Sequence, residues 1–393
     1  MSESNSSALL AEINKLPLQD VATNPALRKR AIELSKKFTT SLEEPVNRAI
    51  DLAFSPFVVA AARISIDLDL FRLIKDHFGP VSTDTLAKLS GGEELLISRL
   101  LRLLAAVGFV HEDAESLWSA TALTLAMASD TITAGHRMIW DLIITSAIAA
   151  PKFLRETGHV CPSEPTDGFV QYAHQTKHDV FGFLNTRPQL ARDFDTFMGN
   201  TMGTRAYWYD WFPVQEKLLT DFDSSSALLV DVGGGKGHDI QAFYTKFSST
   251  GRLVLQDLPQ VLQNIKAKDL DEPIEKMEYD FFTEQPVKYA RAYFLHHILH
   301  DWSDKHCLRI LKQLHAAMRP GYSKLLIHDL ILPDTGASAY QCIYDMTMMT
   351  FNSSLERSRS QWVALLSEAG FEIVKFWVHD DDADGIVEAM VKE

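Results

Sequence analysis

The chain has 393 residues, of which 46% are hydrophobic and 23% charged, a composition that excludes extensive disorder. Its length exceeds what one hydrophobic core usually holds, so we expect more than one domain. The net charge of −14 disfavours nucleic acid or an anionic membrane as the main partner.

Membrane spans and secretion signals are not expected from the sequence. No apolar run approaches the length of a bilayer span, and the first residues lack a basic flank followed by an apolar core. The three cysteines, Cys161, Cys307 and Cys342, are widely spaced and form no CxxC pair. We therefore expect a cytoplasmic protein with reduced thiols and no membrane partner.

The N-terminal part, residues 1–130, predicts helices followed by a hairpin. LLAEINKL and ALRKRAIELSKKF have helical spacing and predict a leader or an arm that packs on a partner subunit. FSPFVVAAARISIDLDLFRLI, TLAKLSG and ELLISRLLRLLAAVGF predict three further helices, and FVHEDAESLWSAT predicts two short strands around a turn. Three helices and a hairpin are typical of a winged helix, a motif that often binds DNA.

Charge weighs against DNA binding by this domain. Between Asp67 and Glu112 seven residues are acidic and five are basic, whereas a DNA-binding domain presents a basic face. We interpret residues 1–130 as a mostly α, winged-helix-like dimerisation domain. A non-catalytic regulator that senses a metabolite remains the alternative from another class.

Residues 131–220 carry a mostly helical pattern interrupted by prolines, and we predict a linker that contributes to a substrate pocket. The aromatic run AYWYDWF covers residues 206–212. Its rings fit either core packing or a flat apolar pocket for an aromatic substrate.

Residues 221–393 predict an α/β domain with a Rossmann-like parallel sheet. Strand-like and helical patterns alternate, which is typical of parallel strands covered by helices on both faces. The predicted strands are SALLVDV, RLVLQDL, ARAYFLH, SKLLIHDLIL and FEIVKFW. The predicted helices are HDIQAFYTKF, DKHCLRILKQLHAAM and SQWVALLSEAG.

A glycine-rich loop, DVGGGKG, joins the first strand of this domain to a helix. The spacing of Gly233, Gly235 and Gly237 departs from the dinucleotide fingerprint, and Lys236 is not followed by the Ser or Thr of a P-loop. Asp231 would repel a pyrophosphate at this position. The loop therefore predicts a ligand with a cationic amine and no phosphate.

Two further carboxylates follow the next strands. Asp257 ends RLVLQD, where a carboxylate is suited to accept both hydroxyls of a ribose. Asp280 is placed to receive an adenine amino group, with Phe281 against the ring. At successive strand ends these residues predict a pocket for a nucleoside that carries an amino acid, and S-adenosyl-L-methionine fits this description.

The ordered motifs LVDVGGGKG, QDLPQV, YDFF, LHDWSDKHC, DLILP and LERS cover much of the chain. The chain resembles the plant and fungal small-molecule O-methyltransferases. This resemblance implies a class I methyltransferase fold, S-adenosyl-L-methionine as cofactor and a homodimer. It also implies that Leu258 and His296 lie beside the cofactor, although plant relatives commonly have lysine at the position of His296.

The resemblance further implies that His300 of the HDW motif is the general base. An imidazole with a pKa near 6.5 is suited to take the proton of a phenol as its oxygen attacks the methyl group. By matching, Asp329 and Glu356 orient this histidine, although the family more often has the longer glutamate at the position of Asp329.

Other histidines of YFLHHILHDWSDKHC have simpler interpretations. His296 and His300 have the i, i+4 spacing of a helical zinc pair, but their segment predicts a strand and no third ligand is suitably spaced. We therefore predict no metal. His306 and His315 are expected to be surface or packing residues, and His297 is expected to point away from the site.

The resemblance leaves two reactions open. The first is methyl transfer to a phenolic or enolic hydroxyl of a small secondary metabolite. The alternative is a pericyclase or dehydratase of the same fold, in which His136, His174, His178 and Arg205 would bond a substrate carbonyl. The residues predicted to line the acceptor pocket are Trp140, Phe197, Met198, Trp208, Met346, Met349 and Asn352.

Overall fold

The structure is a computed structural model that describes residues 3–17, 19–201, 207–247, 251–266, 268–378 and 384–392. These residues form two compact units. The N-terminal unit comprises the described residues up to Trp140 together with Gln189–Thr201, and the C-terminal unit comprises Asp141–Pro188 and the described residues from Tyr207 onward. The region predicted as a separate linker, 131–220, is thus shared between the two units.

The N-terminal unit is mostly helical, as predicted. Its helices are α1 (Glu3–Asn14), α2 (Pro25–Leu42), α3 (Pro45–Phe54), α4 (Pro56–Asp67), α5 (Leu70–Asp76), α6 (Thr83–Ser90), α7 (Glu94–Ala106), α8 (Ala122–Met127), α9 (Asp130–Met138) and most of α13 (Pro188–Thr201). Its strands are β1 (Val81–Ser82), β2 (Val110–Ala114) and β3 (Leu117–Ala120), which pair in the order β1-β3-β2.

Local chemistry explains the boundaries of this winged-helix-like region. The predicted helix over 54–74 is broken between α4 and α5, because Asp69 adopts a left-handed φ of 53°. Ser82 caps α6 by accepting a hydrogen bond from the Thr85 amide, and Gly91 ends this helix in a left-handed conformation. The buried Trp118 of the hairpin donates its indole N–H to the Thr83 hydroxyl, 2.8 Å away.

The expectation that no apolar run approaches the length of a bilayer span is wrong for one helical stretch, whereas the absence of a membrane partner stays a prediction. The helical stretch Pro45–Asp67 is long and apolar enough to cross a bilayer, and only 22% of its most apolar window is buried. Its exposed side chains include Val46, Leu52, Phe54 and Phe57.

The C-terminal unit contains the larger sheet. Its α-helices are α10 (Thr145–Glu156), α11 (Phe169–His174), α12 (Val180–Asn185), α14 (Trp208–Trp211), α15 (His238–Phe247), α16 (Pro259–Leu262), α17 (Asp304–Ala317), α18 (Ala339–Asn352) and α19 (Arg359–Glu368). Its strands are β4 (Ala227–Val232), β5 (Arg252–Asp257), β6 (Ile274–Glu278), β7 (Ala292–His296), β8 (Lys324–Leu332), β9 (Arg357–Ser358), β10 (Phe371–Val378) and β11 (Asp384–Val391). Ile139–Ile144 and Gln215–Leu219 are π-helical, and Leu299–Asp301 is a 3₁₀ turn.

The sheet of the described residues is mixed, in the order β10-β11-β8-β7-β4-β5-β6, with β9 beside the end of β8. Strands β6, β5, β4, β7 and β8 run parallel to one another, and β11 is antiparallel to both β8 and β10. Apolar clusters cover both faces. The predicted strand–helix alternation is confirmed, but β6 and β11 were not predicted.

This topology positions the site. The carboxyl ends of parallel strands meet at one edge of a sheet, which is where α/β folds place ligands. The glycine loop after β4, Asp257 at the end of β5 and His296 at the end of β7 therefore share one edge.

Candidate active site

The glycine loop after β4 is held by the neighbouring strand β5. The amides of Gly233 and Gly234 donate to the Gln256 carbonyl at 2.8 and 3.2 Å. Gly233 and Gly235 have left-handed φ values of 73° and 59°, and a Cβ on Gly233 would lie 2.7 Å from Ile298. Nothing lies within 4 Å of a Cβ built on Gly235, so the loop faces open space there. The backbone can therefore approach a ligand closely.

Asp231 lies beneath this loop. It is 1% exposed, and its carboxylate is the nearest group to a Cβ built on Gly234, at 2.4 Å. Neither oxygen has a hydrogen-bond partner among the described residues; the Ile240 amide faces the carboxylate without reaching bonding geometry. Burial, followed by the charges of Asp239 and Asp257, raises the pKa of Asp231 well above its usual range. An uncompensated buried carboxyl of this kind favours a cationic ligand nearby.

Asp257 closes the loop from the end of β5. Its Oδ2 accepts the Gly235 amide at 2.8 Å, and its Oδ1 accepts the Leu258 amide at 2.7 Å. Burial raises its pKa, and these two amides oppose the rise. The exposed Asp280 follows β6 and accepts the Phe282 amide at 2.9 Å.

Phe281 and Ile298 flank the same loop. A Cβ on Gly233 would lie 3.6 Å from the Phe281 ring and 2.7 Å from the Ile298 side chain. The Phe281 ring also packs edge-on against Trp302, with ring centroids 6.0 Å apart. The structure thus brings the predicted apolar side chain to the loop.

His296 pairs with a carboxylate that sequence analysis missed. Its Nδ1 lies 2.8 Å from Asp239 Oδ2, and its Nε2 is buried without a hydrogen-bond partner among the described residues. Burial opposes ionisation of Asp239, but the charge of His296 and its hydrogen bond outweigh burial and lower the pKa of Asp239. In the sequence, Asp239 is marked only by its position in the first turn of α15, after His238.

Arg357 holds the backbone of the turn that carries His300. The guanidinium of Arg357 is 1% exposed and donates to the carbonyls of Leu299 and Trp302, at 2.9 and 2.8 Å. It also donates to Asp304 Oδ1 at 2.9 Å. One rigid planar cation therefore fixes the carbonyls of Leu299 and Trp302, which lie on either side of His300 in the chain.

His300 is oriented by Glu356. Its Nδ1 lies 2.8 Å from Glu356 Oε1, whereas its Nε2 lies 3.7 Å from Asp301 Oδ1, beyond hydrogen-bonding distance. Burial lowers the pKa of His300, against the charges of Asp301 and Asp329. Burial also raises the pKa of Glu356 to about 8. The bond at Nδ1 makes Nε2 the ring nitrogen that can exchange a proton with a ligand.

Asp329 does not make the predicted contact. It is fully buried on β8, and neither carboxylate oxygen has a hydrogen-bond partner among the described residues. The aspartate side chain is one methylene shorter than the glutamate usual in the family, and Glu356 makes the bond to His300 instead. Burial raises the pKa of Asp329 to about 6.

His297 does not point away from the site, contrary to expectation. Its ring stacks on His300, with centroids 4.8 Å apart and an interplanar angle of 16°. Its Nε2 lies 3.1 Å from Asp384 Oδ2 on β11. Burial lowers the pKa of His297, but the ion pair with Asp384 outweighs burial and raises it to about 9.

A fourth histidine, His328, completes a stacked array. Its ring lies 4.1 Å from that of His296, and neither nitrogen is hydrogen-bonded within the described part of the chain. Burial lowers its pKa well below the usual range, so this ring is neutral. One ligand atom each of His296, His297 and Asp384 lies within 4.8 Å of the others. The absence of a metal stays a prediction.

Two residues predicted to line the acceptor pocket are buried among contacts within the C-terminal unit. The Trp208 ring is 1% exposed and stacks on Phe294, with centroids 4.7 Å apart. Asn352 is 2% exposed, and its amide donates to the Asp301 carbonyl at 2.9 Å. Asn352 therefore supports the turn of the predicted base.

The other predicted pocket residues are divided between the units. Trp140, Phe197 and Met198 belong to the N-terminal unit, where the Phe197 ring would clash with any Cβ on Gly135. In the C-terminal unit Met346 is 55% exposed on α18, and Met349 Sδ lies 3.8 Å from Cys161 Sγ.

The described polar residues of the alternative reaction are divided between the two units. His136 is half-buried in the N-terminal unit, and burial lowers its pKa. His174 packs on the Phe183 ring in the C-terminal unit, at a centroid distance of 4.8 Å, and His178 is exposed. Arg205 lies outside the described residues.

Known proteins resemble this chain over almost its full length. A family model described as an O-methyltransferase domain matches residues 189–372. The O-methyltransferase penC of Penicillium thymicola is 47% identical to the chain, over 97% of this chain and 96% of penC. The chain belongs to the O-methyltransferase family. As a member, it is an S-adenosyl-L-methionine-dependent O-methyltransferase of fungal secondary metabolism.

Solved structures confirm the fold of this O-methyltransferase. The structure of LepI in complex with SAM (S-adenosylmethionine) has a TM-score of 0.87 and 29% identity, and the match covers 99% of this chain and 100% of that one. A structure described as a pericyclic reaction enzyme has the same TM-score and identity and full coverage of both chains. The mostly helical N-terminal region followed by a mixed α/β sheet is shared with these proteins.

The residues of this O-methyltransferase fit its cofactor. The open glycine loop, the buried carboxyl of Asp231 and the unpaired Nε2 of His296 are the features that a cationic amino acid nucleoside would satisfy. The sequence had pointed to the loop and to Asp257 and His296. It had not pointed to Asp239, Arg357 or Asp384, which act through contacts between distant segments.

Proposed function

We propose that this O-methyltransferase methylates a phenolic or enolic hydroxyl of a small metabolite, with His300 as the general base. The observation that carries the proposal is the 2.8 Å contact between His300 Nδ1 and Glu356 Oε1 on the turn at the carboxyl end of β7. It leaves Nε2 as the nitrogen that accepts the acceptor's proton.

The same proposal assigns the cofactor contacts. Asp257 would accept the ribose hydroxyls, and the loop at Gly235 would receive the amino acid part. Asp280 and Phe281 would bind the adenine. His296, held by Asp239, would donate from Nε2 to the carboxylate of the amino acid part. Asp231 would lie beneath the loop as a buried carboxyl whose ionised form a bound cation favours.

In this mechanism, side chains of this protein carry out the proton transfer. When bound, S-adenosyl-L-methionine supplies a methyl group on a positively charged sulfur. A phenol has a pKa near 10, so few phenol molecules are ionised at neutral pH. Nε2 of His300 takes the proton as the oxygen becomes nucleophilic, and Glu356 stabilises the imidazolium through Nδ1–H. Arg357 and Asn352 keep the turn rigid, since orientation supplies much of such a rate.

Mass spectrometry tests this proposal. We expect that incubation with S-adenosyl-L-methionine and a panel of phenols and polyketide-like acceptors gives a product heavier by one methyl group. His300→Ala should lower its rate by roughly 10²- to 10⁴-fold. His315→Ala is the matched control, because this histidine packs on Phe371 away from the site. Turnover without a mass gain, or with loss of water, would instead support the pericyclase or dehydratase.

We also infer a homodimer, whose contact surface we place on α3 and α4. Leu52 is 74% exposed and Phe57 is 64% exposed, on a stretch with few charged residues. A contiguous apolar surface of this kind marks an interaction site, and a second copy of a soluble enzyme is the partner we infer. This pairing makes a membrane partner unnecessary and agrees with a cytoplasmic location.

Light scattering tests the homodimer. The combined change Leu52→Glu and Phe57→Glu should convert a dimer into a monomer, because burying two unpaired carboxylates in an apolar contact is unfavourable. Leu89→Glu, an equally exposed position on α6, is the control and should stay dimeric. A wild-type monomer at assay concentration would contradict this inference.

A further inference from the structure

His297 is held in an unusual conformation next to the proposed base. It follows β7 directly and has a left-handed φ of 54°, a region in which histidine occurs more often than most residues. Its amide donates to the His328 carbonyl at 3.0 Å, and its Nε2 lies 3.1 Å from Asp384 Oδ2. Asp384 is 4% exposed at the start of β11. Backbone and side chain therefore fix this ring from two strands.

The two rings are too close to be charged together. His297 and His300 stack with centroids 4.8 Å apart, and two positive charges at this distance repel each other strongly in a buried site. The ion pair with Asp384 raises the pKa of His297 to about 9 despite its burial. Burial lowers the pKa of His300, and the charge of His297 acts in the same direction. The positive charge of the stacked pair therefore belongs to His297 at neutral pH.

We propose that His297 and Asp384 form a positioning pair that holds a positive charge against the His300 ring and so keeps His300 unprotonated. The proposal rests on the proposed function, in which His300 must be neutral to accept a proton. His297 touches neither acceptor nor cofactor in this role. It acts through the base, as the stacking geometry requires.

Other charged groups face the pair, and they act in the opposite direction. Asp329 from β8, Glu356 before β9 and Asp301 on the turn all favour a protonated histidine. The rings of His296 and His328 lie 4.4 and 6.3 Å from that of His297. At the His300 ring, the charges of Asp301, Asp329 and Asp384 favour protonation. Burial and the charge of His297 oppose them.

Nuclear magnetic resonance of histidine labelled with ¹³C in the ring tests the proposal on the full chain with S-adenosylhomocysteine present. The variants His300→Gln and His297→Asn assign the two resonances. In the wild type, His297 should titrate at higher pH than His300. Asparagine tolerates the left-handed φ at position 297. In the His297→Asn variant, the pH midpoint of the His300 titration should rise by about one pH unit or more.

Two further variants make the test specific. His297→Lys restores a positive charge beside Asp384 and should return the His300 midpoint toward the wild-type value. His306→Asn removes a histidine of the same segment whose ring faces Phe282 and Glu164, and should leave the midpoint unchanged.

The proposal is overturned if His300 titrates above His297 in the wild type, a result that needs no variant beyond those used for assignment. It is also overturned if His297→Asn leaves the His300 midpoint unchanged. Failure of the proposed function looks different, because His300→Gln would then still methylate an acceptor of the phenol panel. Loss of methyl transfer in His300→Gln with an unmoved midpoint in His297→Asn refutes the positioning pair alone.

Discussion

A single hydrogen bond decides which nitrogen of His300 is available to an acceptor. When Glu356 is ionised, the Nδ1–H of His300 donates to it, and Nε2 keeps its lone pair. When Glu356 is protonated, it donates to Nδ1, and the proton of the neutral ring moves to Nε2. The protonation of Glu356 thus determines whether the proposed base can accept a proton.

This switch predicts the pH dependence of methyl transfer. Burial raises the pKa of Glu356 to about 8, so the active form is lost as pH falls through that value. Glutamine accepts the same Nδ1–H at every pH, and Glu356→Gln should therefore move the acid limb of the single-turnover rate to lower pH. Glu368→Gln, on the exposed side of α19, is the control. An acid limb at the wild-type pH in Glu356→Gln would exclude this role for the carboxyl.

At the scale of elements, the 3₁₀ turn Leu299–Asp301 depends on β9. The turn is only three residues long, so it cannot stabilise its own shape. Arg357 reaches it from β9 and binds both flanking carbonyls, while Asn352 binds the Asp301 carbonyl from the end of α18.

Replacing Arg357 should therefore loosen the turn and destabilise the C-terminal unit. Arg357→Lys keeps the charge but loses the planar fork, and we expect the free energy of unfolding to fall by about 2 kcal/mol or more. Urea unfolding measures this loss, and methyl transfer should fall with it. Arg359→Lys, an exposed neighbour over the Phe376 ring, should change neither. Equal stabilities of the two variants would show that the carbonyl contacts are not needed.

The sequence predicts those parts of the site that depend on one strand and the loop after it. The glycine loop, Asp257 and His300 follow strands with clear apolar patterns, so their shared edge could be predicted. Both Asp329 and Glu356 were predicted to orient His300, and only Glu356 makes the contact, because the Asp329 side chain is one methylene shorter than the glutamate usual in the family. Asp384 was missed with its strand, β11, although the run GIVEAMV carries β-forming residues. The orientation of His297 depends on one left-handed φ that no periodicity indicates.

At the scale of the whole molecule, buried carboxyls collect at one edge of the sheet. Burial raises the pKa of Asp301 and Asp329 to about 6, well above the value of an exposed aspartate. Folding therefore favours their protonated forms. A stabilising contribution of this sign is complete below the unfolded pKa of about 4 and is lost as pH rises through 6.

The protein without cofactor should consequently lose stability between about pH 4 and pH 7. Asp329→Asn removes one titrating group, and the fall in its melting temperature over this range should be shallower. A pKa shift from 3.8 to about 6 in this fully buried group corresponds to a difference of about 3 kcal/mol in the free energy of unfolding. Asp269→Asn, at an exposed position, should follow the wild type. Parallel curves for Asp329→Asn and the wild type would contradict the expectation.

The position of β11 in the sheet also constrains the order of folding. This strand lies between β8 and β10, both of which precede it along the chain. During synthesis β10 emerges first but has no neighbour to join, and the long apolar β8 keeps an open edge until β11 arrives. Until β11 is made, a ribosome-bound chain therefore carries the histidines without Asp384, and His297 lacks this partner while the rest of the sheet edge is already present.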